Sequence, residues 1–160
     1  MGSQHLAVRV DIGWGDCDPA GIVFYPRFYA WMDLTSHLLV RALGIPREAM
    51  IAPNPRLVGF PVVGTQAQFL APARMDDRIE VRTWVSRVGR SSLSLRHEIS
   101  RLGPGGELER LLVRGREDRV FVTIDAEQGM RASEITPAMR GVLDRYADPQ
   151  TAETGGPREA

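Results

Sequence analysis

The sequence predicts an α+β domain in which one long helix packs on one antiparallel sheet. Three observations carry that expectation. Residues 26–43 place Phe28, Trp31, Met32, Thr35, Leu38, Leu39 and Ala42 at three- and four-residue spacing, a broad apolar helical face. Residues 62–124 alternate apolar and polar side chains with period two, interrupted by turn formers. The order of elements, one strand, one long helix and then strand after strand, suits a sheet that carries its helix on one face.

The elements follow in turn. Val8, Val10 and Ile12 alternate with Arg9, Asp11 and Gly13, which reads as a first strand with one buried face. Trp14-Gly15-Asp16-Cys17-Asp18-Pro19-Ala20-Gly21 is dense in turn formers and reads as a loop. Pro26 suits the first helical position, where its missing N–H has no partner to lose. Asp33, Ser36, His37 and Arg41 mark the polar side of the helix, and Gly44 and Pro46 end it. Residues 50–61 hold Pro53, Pro55 and Pro61 and read as a surface loop.

Strands are then expected over 62–70, 79–86 and 93–99, and a returning strand over 108–124 after the Gly103-Pro104-Gly105-Gly106 hairpin turn. Thr136–Tyr146 fits a short helix. The expected organisation is a single domain over 1–147, followed by a polar tail over 148–160 without order. A sheet with one helix leaves strand edges open, and pairing two copies edge to edge is a natural remedy.

Composition limits the chemistry. The 160 residues carry 20 basic and 20 acidic side chains, a balance that suggests no general affinity for nucleic acid or membrane. Every basic residue is arginine, which rules out a Schiff-base lysine and leaves arginine to clamp phosphate. Cys17 is the one cysteine, so no internal disulfide forms and a reducing, cytoplasmic setting is expected. A Gly-x-Ser-x-Gly elbow, a phosphate-binding glycine loop and metal-ligand spacing are all absent from the sequence.

Asp16 and Asp18 stand two apart just before the long helix. A carboxylate there can attack or activate water, while unpaired N–H groups at the helix start receive developing negative charge. The backbone N–H of Tyr25 is placed for that role, because Pro26 cannot donate. Taken alone, an Asp in such a turn is more often a turn former or helix cap. Cys17 is a weaker nucleophile candidate, since a lone Cys is usually a small buried apolar residue. His97, on the apolar face of its strand, reads as a core histidine with one satisfied nitrogen. Asp33 and His37, four apart, fit a surface pair.

The run from Trp14 to Tyr29 resembles the active-site segment of hotdog-fold thioesterases, most closely the 4-hydroxybenzoyl-CoA thioesterase family of the Pseudomonas type. The resemblance continues through Trp31-Met32-Asp33, Gly59–Phe69, Arg96-His97 and Pro104-Gly105-Gly106, and so covers about residues 8–135. It implies a hotdog fold, a long helix wrapped by an antiparallel sheet of about five strands. It implies hydrolysis of an acyl-CoA, an aryl-CoA such as benzoyl-CoA or 4-hydroxybenzoyl-CoA, with no metal or redox cofactor. The active site is expected at the interface of a homodimer, the minimum unit of a homotetramer.

The catalytic carboxylate then falls on Asp18, as nucleophile or as general base, and the oxyanion donor on the Tyr25 N–H. Asp33 falls near the acyl pocket. Phe60 stands where the family has a small hydroxyl residue, and is expected to fill volume and remove a hydrogen bond to a polar acyl group. Arg87 and Arg90 lie in the stretch that matches a CoA-binding basic run. Solvated turn residues are the alternative for both. Two rival functions remain at this stage. One is an acyl-carrier-protein thioesterase of the same fold, against which Pro26 counts because those relatives carry His after the Val-Tyr pair. The other is a non-catalytic acyl-CoA binding module.

Overall fold

The computed structural model describes residues 4–50, 56–125 and 127–153. Strand β1 (Leu6–Asp11) leads through a short 3-10 turn at Trp14–Asp16 to helix α1 (Pro26–Ala42). Strands β2 (Arg56–Gly59), β3 (Val62–Phe69), β4 (Arg78–Val88), β5 (Ser92–Leu102), β6 (Leu108–Val120), β7 (Val122–Asp125) and β8 (Gly129–Ala132) follow. Helices α2 (Pro137–Asp144) and α3 (Pro149–Glu153) complete the described chain. Among the described residues no helix is long and apolar enough to cross a membrane.

Five strands form one antiparallel sheet in the order β1-β4-β5-β6-β3, and α1 packs on its inner face. This is the expected α+β hotdog plan. A second small sheet, β2-β7-β8, extends it where β6 passes through Phe121 into β7. That sheet was not anticipated. Arg56–Gly59 falls in the expected Pro-rich loop, and residues 51–55 of that loop lie outside the described residues.

The helix buries Phe28, Trp31, Met32, Thr35, Ser36, Leu39 and Val40. Ser36 thus faces the sheet rather than solvent, a correction with a chemical cause. Its single hydroxyl proton is shared between Met32 O in the helix (3.0 Å) and Glu117 Oε2 on β6 (2.8 Å). The apolar contacts divide into two clusters. One gathers Phe28, Trp31 and Met32 with Ile12, Val23, Ile79, Val81, Ile99 and Val113. The other gathers Leu39 and Val40 with Phe60, Val85, Leu95, Phe121, Ile135 and Leu143.

Between the clusters runs a polar band. Thr83 Oγ1 lies 2.7 Å from His97 Nδ1, and His97 Nε2 faces Glu117 Oε2 at 3.7 Å, too far for a hydrogen bond. Glu117 accepts from Ser36 and from Arg119 Nε at 2.9 Å. His97 is fully buried, as the sequence indicates, with one nitrogen satisfied. Burial pushes the Glu117 carboxyl upward. The facing His97 and the directly bonded Arg119 outweigh that and hold its pKa at about 2, below the ordinary 4.5.

The chain beyond α2 is also tied down. Strand β1 begins opposite Thr83, so beyond that point this edge of β4 lacks a strand partner. Val85 donates to Tyr146 O and its own carbonyl accepts from Asp148 N–H (both 2.8 Å), which closes the edge. Arg96 grips the buried Asp148 carboxylate with two bonds and lies 4.1 Å over the Trp84 ring. The region expected to be a tail without order therefore contains a buried aspartate and helix α3, while 154–160 lie outside the described residues.

Gly115 allows the helix to approach. A Cβ there would collide with Met32 Sδ and stand 3.3 Å from His97 Cβ. Gly115→Ala is expected to cost about 1–3 kcal/mol of stability, as overpacked cores do. Urea denaturation should show this, with a smaller cost in a Met32→Ala background. An equal cost in both backgrounds would exclude the Met32 contact as the cause. Acid stability is a second readout. Glu117 has a depressed folded pKa, so its contribution is full above about pH 4.5 and lost as pH falls toward about 2. Glu117→Gln should flatten the loss of stability across that window. An unchanged slope would remove Glu117 from acid unfolding.

Candidate active site

The loop between β1 and α1 folds back on itself. Cys17 and Val23 form an antiparallel bridge, Asp18 N–H donates to Ile22 O (2.9 Å) and Phe24 N–H donates to Asp16 O (2.8 Å). Gly21, at φ +74°, turns the chain and donates to Asp18 O at 2.9 Å. Val23 N–H donates to Ala73 O (2.9 Å), pinning the loop to the segment before β4.

This geometry separates the two acids. Both oxygens of Asp16 are engaged: Oδ2 accepts from Gly13 N–H (3.0 Å) and Oδ1 stands 3.4 Å from Arg27 Nε. Arg27 Nη2 also donates to Gly15 O at 2.7 Å, so Asp16 and Arg27 bind the loop to the first helical turn. Asp18 is half-buried. Its Oδ1 accepts from Ala20 N–H (2.8 Å), while Oδ2 has no hydrogen bond among the described residues. An acceptor with one fixed and one open oxygen is oriented yet available.

The start of α1 supplies the complement. Arg27 N–H donates to Phe24 O and Phe28 N–H to Tyr25 O, but no backbone carbonyl among the described residues accepts from the Tyr25 N–H. It is an orphan donor at the positive end of a 17-residue helix. The Tyr25 ring lies exposed against Phe24, Tyr29 and Phe69.

Two grooves meet at Asp18. One, of about 530 Å³, is lined by Trp14, Cys17, Asp18, Pro19, Arg74 and Met75. The other, of about 600 Å³, runs from Asp18 past Phe24 and Pro26 along α1 to Ala30. Cys17 borders both and packs partly against the core. Nothing in the sequence singles out Arg74. It lies 56 residues beyond Asp18, in a segment with no motif, and the pairing of Val23 with Ala73 brings it into the groove.

The other candidate residues lie elsewhere. Asp33 is on the exposed stripe of α1 and pairs with Arg119 Nη2 (2.6 Å), not with His37. The Phe60 ring is buried and stacks on Phe121 (centroids 4.9 Å apart), so it fills the core, while its carbonyl accepts from Arg119 Nη1 at 3.0 Å. Arg87 and Arg90 are exposed at the β4–β5 turn, with Arg90 3.9 Å from Glu134. Asp18 lies by the start of β4 and Arg90 beyond its end, so about 30 Å of strand separates them within one chain.

Residues 20–107 match the thioesterase superfamily. The chain is 35% identical over 133 residues to the 4-hydroxybenzoyl-CoA thioesterase of Pseudomonas sp. strain CBS-3, spanning 83% of this chain and 93% of that protein. It superposes on the crystal structure of a mutant 4-hydroxybenzoyl CoA thioesterase complexed with 4-hydroxybenzoyl CoA. The TM-score is 0.74 at 31% identity, covering 87% of this chain and 98% of the other. A gentisyl-coenzyme A thioesterase is also 31% identical, with a TM-score of 0.67 over 86% of this chain and 98% of its own.

Proposed function

Since the chain belongs to the thioesterase superfamily, we propose that it hydrolyses an aryl-CoA thioester such as benzoyl-CoA or 4-hydroxybenzoyl-CoA, with Asp18 as the reacting carboxylate and Tyr25 N–H as the oxyanion donor. The observation that carries this reading is the half-buried Asp18, which lines two grooves with Oδ2 unbonded among the described residues, in the same loop that ends seven residues on at the orphan Tyr25 N–H. As the carbonyl carbon becomes tetrahedral, its oxygen gains charge, and a fixed N–H receives it without reorganisation. Asp18 supplies the electron pair, either by bonding to that carbon or by taking a proton from the water that does. The C–S bond breaks and CoA leaves as its thiol, its proton coming in the end from the water consumed; where Asp18 has bonded to the carbon, that water then cleaves the acyl-aspartyl anhydride, and both paths end in the free acid. Because the Phe60 ring is turned into the core, it no longer weighs against a hydroxylated acyl group.

A homodimer is part of the proposal. Strand β3 is a sheet edge with Val62, Val63 and Phe69 each more than 40% exposed. Joining two β3 edges antiparallel would set the Asp18 end of one copy beside the Arg90 end of the other. Arg90, with Arg87, would then meet the nucleotide phosphates of a CoA whose acyl end lies at the first copy's Asp18.

Asp18→Asn should lower turnover at least about 10²-fold with little change in acyl-CoA binding, read by thiol release and by calorimetry. Near-normal rates would remove Asp18 from the reaction. Arg90→Ala should raise KM for CoA esters more than for the matching pantetheine esters. Mixing refolded Asp18→Asn and Arg90→Ala chains should recover sites of wild-type KM, since one site of each mixed dimer has both side chains intact. No recovery would place the two residues in one chain's site or in none.

A further inference from the structure

The reaction above makes no use of Arg74, which lines the same groove as Asp18, Trp14 and Met75. The backbone at Arg74 is held from several sides. Asp77 Oδ2 accepts from the Arg74 N–H (2.8 Å) and from Arg101 Nη2 (2.9 Å), and Arg101 Nη2 also donates to Pro72 O at 3.0 Å. Asp77 N–H donates to Arg74 O (3.2 Å), while Asp76 N–H donates to Ile12 O and Ile12 N–H to Asp77 O (both 2.9 Å). Asp76, at φ +68°, closes the turn in the left-handed conformation. The Arg74 guanidinium, by contrast, is exposed and has no hydrogen bond, ion pair or ring contact among the described residues. A fixed backbone thus carries a free cation into the groove.

The walls beside that cation are apolar. Trp14 is 84% exposed and Met75 43%, so an indole and a thioether stand open to an occupant. An apolar ring with an anionic end matches both the walls and the charge. The phosphates of CoA are one source of anion, and geometry counts against them. With the thioester carbon at Asp18, the pantetheine arm carries the phosphates well away from a residue that shares the groove of Asp18. The acyl side is nearer. A thioester is neutral, whereas its hydrolysis leaves a carboxylate that is ionised at neutral pH. That charge arises beside the carboxylate of Asp18, and the two repel. A guanidinium in the same groove offers it two parallel N–H bonds.

We propose that Arg74 makes this groove a binding site for an aromatic carboxylate, with the ring against Trp14 and Met75 and the carboxylate on the guanidinium. The proposal rests on the thioesterase reading and adds to it a residue outside the reacting pair. Two sources supply such a group. One is the acid released by hydrolysis, which Arg74 then draws away from Asp18. The other is an acyl group with a second carboxylate on its ring, which Arg74 then selects.

The test compares wild type, Arg74→Gln and Arg74→Glu by two ratios in which a general disturbance of the groove cancels. The first is the inhibition constant of 4-hydroxybenzoate over KM for 4-hydroxybenzoyl-CoA. The second is kcat/KM for benzoyl-CoA over kcat/KM for 4-carboxybenzoyl-CoA. Arg74→Gln should raise at least one ratio about fivefold or more, the upper range for an ion pair open to solvent, and Arg74→Glu should raise it further. A rise in the first ratio alone assigns the released acid, and a rise in the second alone assigns the carboxylated acyl group. Both ratios unchanged, or Arg74→Glu no worse than Arg74→Gln, would overturn the proposal. So would a KM rise for benzoyl-CoA that is absent with benzoyl-pantetheine, because it would place Arg74 on the phosphates. A wild type that hydrolyses no acyl-CoA ester would instead bring down the thioesterase reading. Calorimetry with 4-hydroxybenzoate would then decide the site alone: binding lost in Arg74→Gln supports it, and equal or absent binding overturns it.

Discussion

The pairing of residues 16–18 with residues 22–24 is the constraint on which the geometry around Asp18 depends. Two backbone bonds, Asp18 N–H to Ile22 O and Phe24 N–H to Asp16 O, turn a Gly/Pro segment into a closed two-stranded loop. The loop is then pinned on two sides, to Ala73 through Val23 and to the first helical turn through Asp16 and Arg27. Neither a carboxylate nor an orphan amide is unusual by itself. Their relation is fixed because one short loop delivers the first and ends in the second. That is the economy of building a site where a helix begins, since the unpaired donor exists in any case.

The helix serves two ends of the molecule differently. Its first half anchors an apolar cluster beneath the loop, and its second half anchors another beneath Phe60 and Phe121. The polar band between them interrupts what might have been continuous hydrocarbon. Buried ions are expensive, and a hydrophobic substitute of equal volume often serves stability as well or better. Here the band reaches the surface at Asp33, so the charge inside is continued by a charge outside, and α1 is registered against β6 through Ser36–Glu117 and Asp33–Arg119.

Much of this was legible in the sequence, and the misses share a cause. Periodicity located α1 and the five main strands because burial of one face leaves a local trace. The loop motif marks Asp18 and Tyr25 as candidates for a similar reason, as everything that defines them lies within a dozen residues. Ser36 was misplaced because its partner Glu117 is 81 residues away, and a serine on a helix otherwise reads as solvent-facing. The Asp33–His37 pair was the local option, and Arg119, 86 residues distant, displaced it. For Phe60 no local pattern shows which way the ring turns, and in the fold it stacks on Phe121. Asp148 looked like part of a polar tail, yet Arg96 draws it into the sheet. The strands of the small sheet are four residues each, too short for alternation to register.

Cys17 is the sole thiol in the chain, stands next to Asp18 and borders both grooves. The protein therefore carries a unique attachment point beside Asp18, where the two grooves meet. A thiol-directed fluorophore or spin label would report occupancy of the grooves from within, and an acyl-CoA bound there would shield the sulfur from that label.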